Sequence, residues 1–138
     1  MNSKTLKEIY EYDLIPDDAE NYPQEEWFNV LMKKTPEDLT LSDICRMLRQ
    51  KICSVVAIDR AIEMLESDLF EGELYEGQLM TSLFNAKEKY LRLCYDDIAP
   101  ILSKAELSAL SHEWQSADEK SEYLRTVEAF ISRIKEAQ

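Results

Sequence analysis

The chain has 138 residues, 45% of them apolar, enough for one domain with a modest core and too many for a disordered segment. Twenty-eight acids against sixteen bases leave a net charge of −12. That balance argues against nucleic acid and anionic membrane as partners, and it serves either to attract a basic one or simply to keep the protein soluble. No apolar run reaches the roughly 18–20 residues of a membrane span.

Two glycines and four prolines, set among good helix formers, point to an all-α protein. Thr5 and Glu8 have capping-box spacing, which places Leu6, Ile9 and Tyr10 on one face of a first helix. Asp17, Asp18, Glu20 and Asn21 read as a polar connection. Pro23 suits the first position of a second helix, with Trp27, Val30 and Leu31 as its apolar stripe. Lys33 and Lys34 suit the negative end of that helix, and residues 35–38 read as a turn or one short helical turn.

Thr40 and Asp43 open the clearest helix, with Leu41, Ile44, Cys45, Leu48 and Ile52 at helical spacing. Val55, Ile58, Ala61, Ile62 and Leu65 form a second run. One helix over both would need about 25 residues, long for a globular protein, so a break near Ser54 is expected. Residues 67–77 read as a loop, and 78–84 as helix with Leu79 and Leu83 buried. Residues 85–98 continue helically with Tyr90, Leu93 and Cys94 inward, and Pro100 ends or kinks that segment. Two further capping signatures, Ser103/Glu106 and Ser116/Glu119, open two C-terminal helices over 104–136. The first carries Leu107, Leu110 and Trp114. The second carries Tyr123, Leu124, Val127, Phe130, Ile131 and Ile134, a stripe expected to dock on the protein's own core. The expectation is a compact single-domain bundle of about six to eight helices spanning 1–138.

Catalytic and metal-binding patterns are sparse. The single histidine, His112, adjoins Ser111 in a helical pattern, where neighbours point about 100° apart and form no nucleophile–base pair. The chain contains no C-x-x-C, no H-E-x-x-H and no Gly-rich phosphate loop. Asp68, Glu71, Glu73 and Glu76 lack the ligand alternation of an EF-hand. No cofactor, no metal and no catalytic residue is expected. Three cysteines cannot all pair within one chain, and the N-terminus has no apolar signal region. Both read as a reduced, cytoplasmic protein. Cys45 and Cys53 fall on apolar helical positions, as small buried hydrophobes do.

Both glycines fall in one motif, Gly72-Glu73-Leu74-Tyr75-Glu76-Gly77-Gln78-Leu79-Met80. Residues 66–78 carry five acids and no base, and residues 1–40 carry ten acids and four bases. The glycine pair allows positive φ and a compact loop. Tyr75 is then either presented as an interface anchor or packed on the core with its hydroxyl holding a backbone group. The acids are either solvated or a landing site for Lys and Arg.

Upstream of that loop stand Asp43-Ile44-Cys45-Arg46-Met47-Leu48-Arg49-Gln50 and Ala61-Ile62-Glu63-Met64-Leu65. The three elements, in this order and separation, resemble the immunity proteins of bacterial contact-dependent growth inhibition (CDI) systems over about residues 25–85. That resemblance implies a protein that neutralises the toxic C-terminal domain of a CDI effector. The implied toxin is basic, a nuclease and more specifically an RNase, bound by a monomer in a stoichiometric 1:1 complex. Asp68, Glu71, Glu73, Tyr75 and Glu76, or Asp17, Asp18 and Glu20, are the candidate toxin-binding residues. Asp43, Arg46, Arg49, Gln50, Gly72 and Gly77 are motif residues with an internal role, for example Asp43 or Glu73 pairing with Arg46. The alternative function is an acidic helical adaptor or regulator of another basic protein. An enzyme with an unfamiliar site is the remaining rival.

Overall fold

The computed structural model describes residues 4–10 and 23–138. Among them are eight α-helices: α1 (Leu6–Tyr10), α2 (Pro23–Met32), α3 (Leu41–Gln50), α4 (Ser54–Ser67), α5 (Gln78–Phe84), α6 (Glu88–Leu91), α7 (Tyr95–Ser111) and α8 (Ala117–Glu136). Single 3-10 turns occupy Pro36–Asp38 and Arg92–Cys94, and no strand occurs among the described residues. The protein is the all-α bundle that its composition predicts. Asp17, Asp18 and Glu20 lie outside the described residues.

Local signals set most helix starts. Thr5 and Glu8 exchange the two bonds of a capping box, as do Thr40 and Asp43. Pro23 takes the first position of α2, and the Thr35–Asp38 stretch is the short helical turn expected of it. The break between α3 and α4 falls at residues 51–53. Ile52 N–H reaches back to Met47 C=O at 2.9 Å, a Schellman closure over Lys51 in the left-handed region at φ 59°. Cys53 is left-handed as well, at φ 49°. Glycine is the usual residue for such a closure, so two side-chain-bearing residues hold this corner at a steric cost.

The core is one continuous cluster drawing on every helix, with Leu6, Met32, Ile44, Leu48, Ile58, Leu65, Leu79, Leu91, Leu102 and Phe130 all within it. α7 and α8 pack along each other; α3 packs on α4 and α5, and α5 on α8. The α8 stripe docks inward as expected, with Tyr123, Val127, Phe130 and Ile134 buried.

Several expectations are corrected. Pro100 does not end a helix: it sits inside α7, which begins at Tyr95 rather than at Ser103. Asp96 and Pro100 are exposed, so the carbonyl that loses its helical partner faces water, and burial of Ile98, Ile101, Leu102, Ala105 and Ala109 holds the turn together. That stripe fixes the rotation of α7 and turns Leu107 and Leu110 outward, at 72% and 65% exposure. Leu93 is exposed rather than inward, because the 3-10 turn at 92–94 resets the rotation after α6. Val30 and Val55 also face solvent, and Ile9 is partly exposed. Among the described residues, no helix is long and apolar enough to cross a membrane.

Candidate functional site

Residues 68–77, between α4 and α5, form a ridge held by its own backbone and by side chains of Asp68, Gln78, His112 and Tyr123. Asp68 Oδ1 accepts the Phe70 N–H at 2.9 Å, turning the chain off the end of α4. Gly77 N–H donates to Phe70 C=O at 2.9 Å and Leu79 N–H to Glu71 C=O at 3.0 Å, closing the base. Buried Gln78 serves the tip, its Oε1 accepting the Glu73 and Leu74 N–H groups at 2.7 and 2.9 Å. Such a loop loses little conformational freedom when a partner docks.

The two glycines are needed for different reasons. Gly77 has φ +85°, and a Cβ there would stand 2.4 Å from Tyr123 Cδ1. Gly72 has no positive φ; a Cβ there would meet the Tyr75 carbonyl oxygen at 1.9 Å. The positive φ that the glycine pair allows is used at Gly77 alone.

Two aromatic anchors fix the ridge to the C-terminal half. Tyr123 on α8 donates its hydroxyl to Leu69 C=O at 2.7 Å, and burial pushes its phenol well above the ordinary range. His112, just past the end of α7, places Nε2 2.5 Å from Glu76 Oε2. Its ring stacks on Phe70 at 3.9 Å between centroids and meets the Trp114 ring edge-on at 4.6 Å. The backbone-holding role considered for Tyr75 belongs to Tyr123. Tyr75 itself is 44% exposed at the tip, beside Leu74 at 76%.

The acids differ in their surroundings. Asp68 and Glu73 are exposed, while Glu71 and Glu76 are half-buried. Burial pushes the Glu71 carboxyl up, and the charge of Asp68 and a hydrogen bond shared with it push it further. Three concavities border the ridge. One of about 230 Å³ touches Tyr75 and Glu76, a groove of about 710 Å³ runs from Glu66–Phe70 along α7, and one of about 350 Å³ touches Glu71.

The other motif residues lie on α3. Asp43 is 7% exposed. It accepts Lys34 Nζ at 2.6 Å, Thr40 N–H at 3.1 Å and Trp27 Nε1 at 3.2 Å. Burial pushes its carboxyl up, but these bonds and the Lys34 charge outweigh burial and hold it below the ordinary 3.8. Arg46 pairs with neither Asp43 nor Glu73: its guanidinium lies 4.2 Å from the centre of the Trp27 ring. Both residues join α3 to α2. Arg49 and Gln50 are exposed at the end of α3.

Sequence reading missed Gln78, His112 and Tyr123 as ridge supports. Gln78 sits inside the glycine motif and was open to notice there. His112 and Tyr123 are 36 and 54 residues from their partners, and no local pattern carries such pairings. Burial pushes the Cys53 thiol up to about 11, and raises those of Cys45 and Cys94 too, so none presents a thiolate at neutral pH. Among the described residues, no group of three or more His, Cys, Asp or Glu could hold a metal ion.

The site is thus an acidic, aromatic-tipped ridge stiffened by an all-helical scaffold. The family model of CDI immunity proteins matches residues 8–101, and the chain belongs to that family. The match extends beyond residues 25–85, from within α1 to the middle of α7, and encloses the whole ridge. No curated protein matches the chain. Family membership makes this a protein of toxin neutralisation.

Proposed function

We propose that the chain neutralises the C-terminal nuclease domain, an RNase, of a CDI effector by forming a stoichiometric 1:1 complex as a cytoplasmic monomer. The ridge, with Asp68, Glu71, Glu73, Tyr75 and Glu76, faces the toxin. The observation that carries this reading is the pre-organised, base-free acidic ridge inside the family block. A nuclease holds phosphates on a basic surface, and five acids between Glu66 and Glu76 offer that surface its complement. A tip made of Leu74 and Tyr75 supplies the apolar and aromatic area that interfaces concentrate at their centre. Inhibition then follows from occupying the phosphate-binding surface, with no turnover.

The test is co-purification of the chain with the toxin domain encoded immediately upstream, followed by titration of the toxin's nuclease activity. A one-to-one complex that silences the toxin at equivalence is expected. A toxin that stays active at excess chain, with no complex, overturns the proposal.

A further inference from the structure

Three consecutive residues at the tip of the ridge, Glu73, Leu74 and Tyr75, hydrogen-bond to a single residue, Gln78. Its Oε1 accepts the Glu73 N–H at 2.7 Å and the Leu74 N–H at 2.9 Å, and its backbone N–H donates to the Tyr75 C=O at 3.2 Å. The two bonds that close the base, from Gly77 to Phe70 and from Leu79 to Glu71, stop short of the tip. Leu74 is 76% exposed and Tyr75 44%, so little burial of their side chains holds them in place. Gln78 itself is 7% exposed, and it opens α5, which packs on α3 and α8. The tip is therefore fastened to the bundle through this one side chain and its own backbone.

Gly72 makes the arrangement possible. A Cβ there would stand 1.9 Å from the Tyr75 carbonyl oxygen and 2.9 Å from Gln78 Cβ. Without that carbon, the Tyr75 carbonyl comes down to the Gln78 N–H. The acceptor is also neutral. Residues 66–78 already carry five acids and no base, and an amide oxygen satisfies two N–H groups there without adding a sixth charge. Removing it leaves two backbone donors without their partner.

We propose that Gln78 is a positioning residue for the toxin contact, holding Leu74 and Tyr75 in the conformation that docks and so setting how long the complex lasts. The inference rests on the toxin-neutralising reading above and deepens it with a division of labour. Charges act at long range, so the ridge acids set how fast the partners meet. A held tip acts only after contact, because an ordered loop loses less freedom on docking. Gln78 carries no charge, so its loss leaves steering intact and appears in dissociation.

The experiment is stopped-flow association and dissociation of the full chain with the toxin domain encoded immediately upstream, beside amide hydrogen exchange of the free chain. It compares wild type with Gln78→Met, Gln78→Asn and Gln78→Glu. Methionine matches the length without the acceptor, asparagine keeps the amide one methylene short, and glutamate keeps an acceptor at full reach. The Met and Asn variants are expected to dissociate about tenfold faster, with association within about twofold of wild type. Their Glu73 and Leu74 amides are expected to exchange faster while those of α7 and α8 keep their protection. Gln78→Glu is expected to restore both slow dissociation and slow exchange. Where Gln78→Met does not fold, Gln78→Asn carries the comparison. Unchanged dissociation in the Met and Asn variants overturns the inference and leaves the neutralising function standing. So does faster exchange throughout α7 and α8, which makes Gln78 a general support of the fold. A Gln78→Glu complex that dissociates as fast as the Met variant also overturns it, because the acceptor is then not what matters. Failure of wild type to bind removes the function and the positioning role together.

Discussion

Asp43 connects three segments through one carboxylate: Trp27 of α2, Lys34 of the turn after it, and the N-cap of α3 at Thr40. Its folded value lies below the ordinary 3.8. The sign follows directly: the stabilisation is full above pH about 4 and is lost as pH falls through the depressed folded value. Asp43→Asn should therefore cost about 1–3 kcal/mol at neutral pH. It should also flatten the acid limb of the stability profile below pH about 4, where wild type loses the Asp43 contribution. Urea denaturation across that range checks both, and an unchanged acid limb refutes the assignment. The Thr40–Asp43 box was legible because its spacing is local. The Lys34 and Trp27 contacts were not, since they depend on how α2 lies across α3. The same limit explains the exchange of roles between Tyr75 and Tyr123. Spacing placed Tyr75 in the loop but said nothing of the hydroxyl arriving from 54 residues away.

α7 is where the element-level reading departs furthest from the molecule. Spacing makes Pro100 an end or a kink and Ser103/Glu106 a start, yet α7 runs through both positions from Tyr95 to Ser111. Proline removes one donor and crowds one carbonyl, and on an exposed face that penalty is smaller than the gain from a stripe buried against α8. The penalty still exists, so Pro100→Ala should stabilise the protein by about 1 kcal/mol or more. A urea midpoint that stays put or falls would show that the turn is already relieved in some other way. Helices 2, 3, 4, 5 and 8 were legible to within a few residues, because caps or a regular apolar spacing mark them. The α3–α4 corner had only its approximate position legible. Its left-handed residues are Lys51 and Cys53, types that carry no turn signal of their own.

At the scale of the whole molecule, −12 charges act on stability and on binding in opposite senses. Self-repulsion opposes the compact state, while the same field draws in a basic partner. Raising salt from about 0.05 to about 0.5 M shortens the screening length several-fold. It should therefore raise the melting temperature of the free chain and slow its association with the toxin domain. Calorimetry and stopped-flow mixing in matched buffers check the pair, and a salt-independent association rate would remove electrostatic steering. The bundle class was legible from composition alone, and the acidic ridge from its charge run. Its stiffness was not, because the bonds from Gln78, His112 and Tyr123 exist only once the chain is folded. The Tyr123 tether has a consequence for inheritance. The family block ends at residue 101, but the hydroxyl that pins Leu69 comes from α8 beyond it. A chimaera that keeps this block and takes a last helix without that phenol would carry every ridge residue on a loosened foundation. Recombination that replaces the ridge has to exchange ridge and terminal helix as one unit, or restore the phenol where the two parents meet.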